Sequence, residues 1–180
     1  MSEDELIKGC VRENKHCQRA LYEKFAGKMM SVCLRYTRHR LEAEDIMQEG
    51  FIKIFNNINK FQRRGSLEGW IRRIMINTAL SNYNRSSFKK EIIGIEDYQS
   101  GVEQPKAIQQ LTADEIMKVI STLPDGYRIV FNLYIIEGYS HNEIAKMLKI
   151  TPSTSRSQLV KARRMLQKKI ILLREAGLNR

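Results

Sequence analysis

GYSHNEIAKMLKITPSTSRSQLVKARRML, residues 138–166, predicts two helices joined by a short turn. Ser140 and Glu143 form the S-x-x-E pattern, in which each side chain bonds the backbone amide of the other residue at a helix start. After an apolar stripe at helical spacing, Thr151 is placed to cap a second helix, and Pro152 suits its first position. The stretch therefore predicts a helix, a tight turn and a second helix.

The second predicted helix is amphipathic, and its polar side is strongly basic. Its apolar face carries Leu159, Ala162, Leu166 and Ile170. Its other faces carry Arg156, Lys161, Arg163, Arg164 and Lys168. A tight pair of helices with a basic second member describes a helix-turn-helix, in which the second helix enters the major groove of DNA.

Charge is unevenly distributed over the 180 residues, whose net charge is +11. Residues 140–180 carry ten Lys and Arg against two acids, and residues 60–90 carry eight against one. Residues 41–50 instead carry four acids and no base. Two basic patches and one acidic patch indicate two contacts with nucleic acid and a separate protein partner. Solvated helix faces are the alternative explanation, although one patch coincides with the helix-turn-helix.

The composition argues against secreted, membrane and metal-binding proteins. Cys10, Cys17 and Cys33 are odd in number and lack a C-x-x-C spacing, which suits a reducing cytosol. The acidic N-terminus has no apolar signal core, and no run approaches a membrane span. We therefore expect a soluble cytoplasmic protein without membrane insertion. A zinc cluster of the cysteines with His16 is disfavoured because no ligand pair has the usual spacing, so no metal or other cofactor is expected.

Helical periodicity runs through the N-terminal half of the chain, and strand signals are weak. The pattern predicts helices at residues 3–14, 16–38, 42–58 and 67–85, with a polar loop at 59–66. We read residues 1–88 as one small helical domain.

The pattern disappears at residues 86–111, where two glycines and a proline interrupt it, and helices resume at 112–122 and 127–137. We therefore predict an all-α protein of two small helical domains joined by a flexible tether at 89–111. The C-terminal domain, 112–180, is the helix-turn-helix.

Three further stretches complete a pattern along the chain. Residues 41–51 read LEAEDIMQEGF, residues 61–79 read FQRRGSLEGWIRRIMINTA, and residues 123–130 read LPDGYRIV ahead of the GYSHNEIA segment. In this order they resemble the bacterial RNA polymerase sigma factors of the extracytoplasmic-function (ECF) group. That group carries D-A-E-D-hydrophobic-x-Q-E-x-F, then F-x-G and W-hydrophobic-x-x-I-A-x-N-x-A, then L-P-x-x-x-R and G-Y-S-x-x-E-I-A. The resemblance covers about residues 15–175.

The resemblance implies that the first domain binds core RNA polymerase, at the β′ clamp helices, with the β subunit as a further contact. The implied contact face consists of Asp45, Ile46, Gln48, Glu49 and Phe51. An acidic helix surface with apolar contacts at its centre suits a basic coiled coil. Ile46 and Phe51 are alternatively explained as core residues of a solvated acidic helix.

The resemblance also implies that the first domain recognises the minus-10 promoter element and receives a flipped base of the non-template strand. The implied residues are Lys60, Phe61, Gln62, Arg63, Arg64, Arg72, Asn77 and Ser81. Lys and Arg neutralise phosphate, and Phe61, Trp70 or Tyr83 could stack a base. Trp70 is explained more simply as a core residue, and Asn77 equally well as a buried hydrogen-bonding group.

The second domain is implied to read the minus-35 element. The implied residues are Arg156, Ser157, Gln158, Val160, Lys161, Arg163 and Arg164. Arg can bind guanine and Gln adenine, whereas the remaining cations attract phosphate without sequence preference. The family's recognition helix often opens with Gly-Thr-Val, where this chain has Ser153-Thr154-Ser155, and an Arg is common in place of Gln158. These departures affect the promoter sequence rather than the motif.

We therefore expect a sigma factor that directs promoter-specific initiation, with an anti-sigma factor as a further partner. No catalytic residue and no small-molecule substrate are expected, because the chain lacks a phosphate-cradling glycine loop and a nucleophile elbow. A stand-alone helix-turn-helix regulator is the alternative, but residues 1–90 resemble neither a ligand-binding nor a phospho-acceptor domain. A polymerase adaptor that does not read DNA is a second alternative, against which the basic C-terminal segment argues.

Overall fold

The computed structural model of the chain describes residues 1–93 and 113–178, and within these ranges it contains eight α-helices and no strand. The helices are α1 Glu3–Val11, α2 Lys15–Tyr36, α3 Arg40–Asn57, α4 Leu67–Ile93, α5 Ala113–Ser121, α6 Asp125–Phe131, α7 His141–Leu148 and α8 Pro152–Leu178. A 3₁₀ turn, Ile58–Lys60, follows α3, and a π-helical segment, Asn132–Ile136, follows α6. The chain divides into two compact units, Met1–Ser87 and Phe88–Arg180. The prediction of an all-α, two-part fold is confirmed.

The first unit is built from α1 to α4 around one apolar core. Its largest fully buried side chains are Leu21, Met29, Ile54, Ile58, Leu67, Ile71, Met75 and Ile76. Gly50 on α3 faces α4, because a Cβ at this position would lie 2.3 Å from the Sδ atom of Met75. Only a residue without a side chain leaves this space to Met75, so Gly50 lets the two helices approach closely.

The helix boundaries in the first unit differ from the predicted ones by one or two residues at α2 and α3, and by more at two places. α1 ends at Val11 because Asn14 starts a new helix, its Oδ1 accepting hydrogen bonds from the amides of His16 and Cys17 at 2.9 and 3.1 Å. α4 continues to Ile93, so the start of the segment predicted as irregular is helical. No Gly or Pro interrupts the sequence before Gly94, which explains the extension. The rest of the predicted tether, 94–111, lies outside the described residues.

The second unit has its own core, formed where α5 and α6 pack on α8. Its buried apolar residues include Val119, Ile120, Leu123, Ile129, Leu133, Ala162 and Leu166. Arg128 of α6 is only 2% exposed, and its Nη2 lies 2.9 Å from Oδ1 of Asp125. Its Nη1 also reaches the carbonyl oxygen of Ser121 at 3.5 Å. The ion pair lies within α6, and the bond to Ser121 ties the end of α5 to this helix.

The predicted helix-turn-helix is confirmed in its details. The Oγ of Ser140 accepts the amide of Glu143 at 3.3 Å, and Oε2 of Glu143 accepts the amide of Ser140 at 2.8 Å. α7 ends at Leu148, and its C-cap residue Lys149 has a left-handed backbone with φ of 56°. The Oγ1 of Thr151 accepts the amide of Thr154 at 3.0 Å, and α8 begins at Pro152. The two caps read from the sequence therefore begin the two helices of the motif.

Candidate nucleic-acid and polymerase interfaces

α8 presents a basic surface to solvent on the side opposite its buried face. Ser155, Leu159 and Ala162 are buried against the rest of the second unit. The exposed members of the predicted set are Arg156, Ser157, Val160, Lys161, Arg163 and Arg164. Val160 is 46% exposed, which leaves an apolar group available for a thymine methyl among the cations. This surface has the composition expected of a recognition helix.

Gln158 differs from the other residues predicted to contact the minus-35 element. Its side chain is only partly exposed, and its Oε1 atom is enclosed without a hydrogen-bond partner. Bidentate contact with adenine requires both polar atoms of the amide to face solvent, and the Oε1 atom of Gln158 does not. The other predicted residues keep their exposure because they lie on the outer faces of the helix.

His141, at the start of α7, makes a contact with α8 that the sequence pattern did not predict. Its Nδ1 lies 2.9 Å from the Oγ of Ser155, which is 0% exposed. Its ring stacks on Tyr134 of the π-helical segment, with ring centroids 4.4 Å apart and an interplanar angle of 19°. Burial lowers the pKa of His141, and the charges of Arg156 and Arg163 lower it further. The imidazole is therefore neutral near pH 7.

A cleft of about 540 Å³ lies between the end of α3 and the middle of α4. It is lined by Lys53, Asn57, Lys60, Trp70, Ile74, Asn77 and Thr78. Lys60 and Asn77 belong to the predicted minus-10 set, and the exposed Asn77 is not the buried hydrogen-bonding group of the alternative explanation. Trp70 was considered as a base-stacking residue but explained more simply as a core residue, whereas Lys53, Asn57, Ile74 and Thr78 were not predicted because they share no sequence spacing. Cations, amides and an aromatic ring in one cleft suit a nucleotide.

The loop before α4 brings an aromatic ring and three exposed polar residues to the same unit. The ring of Phe61 is partly buried and lies 5.6 Å from that of Trp70 at an angle of 50°. Gln62, Arg63 and Arg64 are exposed. Arg63 has φ of 56°, and its Nη1 lies 3.0 Å from Oδ1 of Asp4 on α1.

Two predicted minus-10 residues of α4 are not among those that line the cleft. Arg72 is partly exposed, whereas Ser81 is exposed. Both lie on α4, on either side of the cleft residue Asn77 in the sequence.

Glu49 is engaged inside the first unit. Its Oε1 accepts hydrogen bonds from Nζ of Lys53 at 2.6 Å and Nη2 of Arg85 at 3.5 Å, and its Oε2 accepts one from Nδ2 of Asn82 at 3.4 Å. Nζ of Lys53 also donates to Oγ1 of the buried Thr78 at 3.2 Å. The bond from Lys53 is the main reason why the pKa of Glu49 lies below its ordinary value. This network links α3 to α4 and orients Lys53 at the cleft.

The outer face of α3 differs from the predicted polymerase-contact face. Ile46 and Phe51 are 4% and 3% exposed, so they belong to the core rather than to a contact surface. Asp45 and Gln48 are exposed, as predicted from their position on the acidic helix. Residues 41 and 52 extend the same face, because positions 41, 45, 48 and 52 follow the spacing of one helix stripe.

Leu41 and Ile52 were therefore missed as surface residues by the sequence pattern. They are 75% and 60% exposed although both are large and apolar. We call Leu41, Asp45, Gln48 and Ile52 the outer stripe of α3. Its acidic and polar centre flanked by apolar ends suits a protein partner.

Grouped metal-ligand side chains and membrane-spanning helices are both absent from the part of the chain that the structure describes. No set of three or more His, Cys, Asp and Glu side chains is grouped there as a metal would need. No helix in residues 1–93 or 113–178 has the length and apolarity to cross a membrane.

The three cysteines are free thiols, and burial raises the pKa of Cys10 and Cys33 to about 11. These two thiols are therefore protonated and weakly nucleophilic near neutral pH.

Both units match described families of protein domains. Residues 21–88 match the family Sigma-70 region 2, and residues 113–166 match the family Sigma-70, region 4. The first match contains the cleft and the outer stripe of α3, and the second contains the helix-turn-helix.

Full-length relatives and a solved structure show the same similarity. The ECF RNA polymerase sigma-E factor of Haemophilus influenzae is 26% identical, and the alignment covers 94% of this chain and 96% of that protein. The RNA polymerase sigma-H factor of Pseudomonas aeruginosa is also 26% identical, with 97% of each chain covered. The sigma factor RpoE of Bartonella quintana, solved in complex with the anti-sigma factor NepR, has a similar fold. The TM-score is 0.54 at 18% identity, covering 84% of this chain and 95% of RpoE.

Proposed function

The chain belongs to the extracytoplasmic-function group of RNA polymerase sigma factors, and we propose that it directs core polymerase to promoters carrying two separate elements. In this proposal α8 reads the minus-35 element and the cleft between α3 and α4 holds a base of the minus-10 element. The observation that carries the proposal is the presence, in each unit, of a basic surface suited to one form of DNA. The surface of α8 is a single convex helix, which suits a duplex groove, whereas the other surface is a cleft, which suits an unstacked base.

Reading of the minus-35 element is supported by the exposed residues of α8. Arg156, Ser157 and Val160 lie in the first turns of the helix, the part of a recognition helix that contacts base edges. Arg163 and Arg164 lie further along, where contact with phosphates is expected. A bidentate Arg contributes about 1–3 kcal/mol of discrimination between bases, whereas a phosphate contact acts on every sequence alike.

Capture of a minus-10 base is supported by the lining of the cleft. Trp70 offers an aromatic face, while Asn57 and Asn77 offer amide groups and Lys53 and Lys60 offer charged donors. Extruding a base costs a few kcal/mol, which stacking and hydrogen bonds must offset. Stacking on an aromatic side chain contributes about 1–3 kcal/mol per base, so a single ring with two or three polar contacts is sufficient.

Attachment to core polymerase is proposed for the outer stripe of α3. Asp45 and Gln48 provide the acidic and polar contacts expected at the β′ clamp helices, and Leu41 and Ile52 add apolar area at either end. Ile46 and Phe51 support the stripe from the core. Glu49 is only partly exposed and is held by Lys53, so we assign it to the orientation of α4 as well as to this face. The β subunit remains a proposed second contact.

The remaining parts of the proposal concern domain limits, regulation and chemistry. We propose a polymerase and minus-10 domain at 1–88, a linker at 89–111 and a minus-35 domain at 112–180.

We further propose that an anti-sigma factor holds the protein inactive in the cytoplasm, as the similar RpoE is bound by NepR. All bond-forming chemistry in this scheme belongs to the polymerase. Capture from source cells of a protein that stops initiation by this chain would support the regulatory part, and its absence under every growth condition would count against it.

The deciding experiment adds the purified chain to core polymerase free of other sigma factors. Transcript starts are then mapped on genomic DNA of the source organism. We expect new starts that share a pair of upstream elements. A matched control carries Leu41→Asp and Ile52→Asp, which leave the DNA-binding residues intact and are expected to abolish both co-purification with core and the new starts.

Two other outcomes would overturn the proposal in different ways. Tight, sequence-specific binding to duplex DNA without core, and no new starts, would indicate a stand-alone regulator. Co-purification with core but no starts on any template would indicate an adaptor that does not read DNA.

A further inference from the structure

The side chain of His141 holds the residue that precedes the first exposed arginine of α8. Ser155 is completely buried, so its hydroxyl needs a hydrogen-bond partner within the protein. His141 supplies that partner at 2.9 Å from the start of α7. Because Arg156 follows Ser155 directly, any rotation of α8 that breaks this bond also moves the guanidinium of Arg156.

The position of the bond makes it more than a general packing contact. Tyr134 stacks on the ring of His141, so the imidazole is held between the π-helical segment and α8. His141 and Ser155 therefore act as a pair in this chain.

We propose that His141 is a positioning residue for minus-35 reading, which fixes the first turn of α8 through Ser155 and takes up a proton when α8 binds DNA. The inference rests on the proposed function, because it requires a minus-35 element that α8 reads.

Proton uptake follows from the charges around the ring. Arg156 and Arg163, both on α8, repel a proton on His141 and lower its pKa, after the larger effect of burial. Tyr134 is the titratable group of the π-helical segment that faces the ring, and on α7 the carboxylate of Glu143 is held by Ser140. Phosphates that neutralise the two arginines would remove the repulsion, so the pKa of His141 is higher in the complex than in free protein.

The sign of the pH effect follows from this difference. The complex binds more protons than the free protein in the window between the two pKa values. Affinity for DNA therefore rises as the pH falls through that window and is constant above it. The window begins below the ordinary pKa of histidine, since the free-state value is lowered.

Three variants of the full chain separate the effect of the His141–Ser155 bond on the position of α8 from the effect of protonating His141. His141→Asn retains a hydrogen-bonding group near the place of Nδ1 but cannot titrate. His141→Phe retains the stack on Tyr134 but leaves the hydroxyl of Ser155 without its partner. The double variant His141→Phe with Ser155→Val removes both polar groups and keeps the volume, a change that is nearly neutral when both partners of a buried bond are replaced together.

The measurement uses holoenzyme made from each variant and core polymerase, on a promoter found by mapping starts. Binding is compared between the natural minus-35 element and a scrambled one, from about pH 5.5 to 7.5. His141→Phe is expected to lower the ratio of natural to scrambled affinity about fivefold to tenfold, and the double variant to restore most of it. The wild type is expected to gain about threefold in affinity at the acid end, and His141→Asn to keep the ratio but lose this gain.

Two results would overturn the inference. The first is an unchanged ratio in His141→Phe, and the second is the same pH profile in wild type and His141→Asn. If His141→Phe does not fold, the pH profiles of the other proteins still decide. A wild-type holoenzyme that starts transcription but ignores the minus-35 sequence would refute the reading of that element itself, which is a failure of the proposed function and is recognisable as such.

Discussion

The two basic surfaces of this protein are built in opposite ways. The surface of α8 consists of residues within one helix, at positions 156–164, and its orientation depends on two caps and a tight turn nearby. The cleft of the first unit instead combines residues from α3, the 3₁₀ turn and α4, separated by up to 25 positions in the sequence. A convex helix can be exposed by local structure alone, whereas a cleft exists only when two elements are held apart at a fixed distance. Substitutions should therefore affect the function of the two surfaces differently.

The largest effect is expected from Arg128, a buried residue of α6, which packs against α8. Arg128→Ala removes the buried guanidinium that pairs with Asp125, and should lower the free energy of unfolding of the second unit by about 3–5 kcal/mol. Thermal unfolding followed by circular dichroism should show one part of the transition shifted to lower temperature, while the outer stripe of α3 still binds core polymerase. Lys146→Ala, at an exposed position of α7, is the control. Equal loss of core binding would contradict the independence of the two surfaces.

The next largest effect is expected in the cleft. Asn77→Ala removes an exposed amide from the lining and should reduce promoter opening about tenfold, with little change in minus-35 affinity. Permanganate reactivity of the melted region, measured with holoenzyme, provides the readout. Asn56→Ala, an exposed residue of α3 outside the cleft, should behave as wild type. If both variants open the promoter normally, the cleft does not hold a base.

A smaller and more selective effect is expected from the arginines of α8. Arg156→Ala should cost about 1–3 kcal/mol on the natural minus-35 element and relax the preference at one base pair. Arg164→Ala should weaken binding uniformly and reduce the slope of log affinity against log salt by about 1. Competition binding at several salt concentrations separates the two. Identical salt slopes and identical base preferences in the two variants would show that Arg156 and Arg164 make the same kind of contact with DNA.

The smallest effect is expected from Glu49, which joins α3 to α4. Its pKa is lowered in the folded protein, first by the hydrogen bond from Lys53, so it contributes stability above its unfolded pKa. That contribution is lost as the pH falls through the folded pKa. Because the pair is partly exposed, Glu49→Gln should cost no more than about 1 kcal/mol at neutral pH.

Unfolding measured from about pH 3 to 7 provides the test for Glu49, since the curves of variant and wild type should converge at the acid end. Glu23→Gln, whose partner is Arg19 on the surface of α2, is the matched ion-pair control. Curves that stay parallel over the whole range would show that the charge of Glu49 has no stabilising role.

The parts predicted correctly from the sequence are those with local causes. Ser140, Glu143 and Thr151 cap helices by bonds to residues three positions away, and these bonds are all present in the structure. Helix boundaries were less accurate where no cap or breaker acts, as at α4, which continues to Ile93.

The identity of the exposed residues on α3 could not be predicted from spacing. Apolar residues occur all round this helix, at positions 41, 43, 46, 47, 51, 52, 54 and 55, so its periodicity does not define one buried face. The structure buries Ile46 and Phe51 and exposes Leu41 and Ile52. Only the packing of α2 and α4 determines which side of α3 is covered.

The sequence by itself determined the helical fold, the helix-turn-helix, the basic surface of α8 and membership of the sigma factor family. Those features depend on hydrogen bonds and side-chain spacings within a few residues of one another. The tertiary structure alone decided the lining of the cleft, the outer stripe of α3 and the bond between His141 and Ser155. Each of these depends on contacts between residues distant in sequence, and such contacts form only when complete helices pack together.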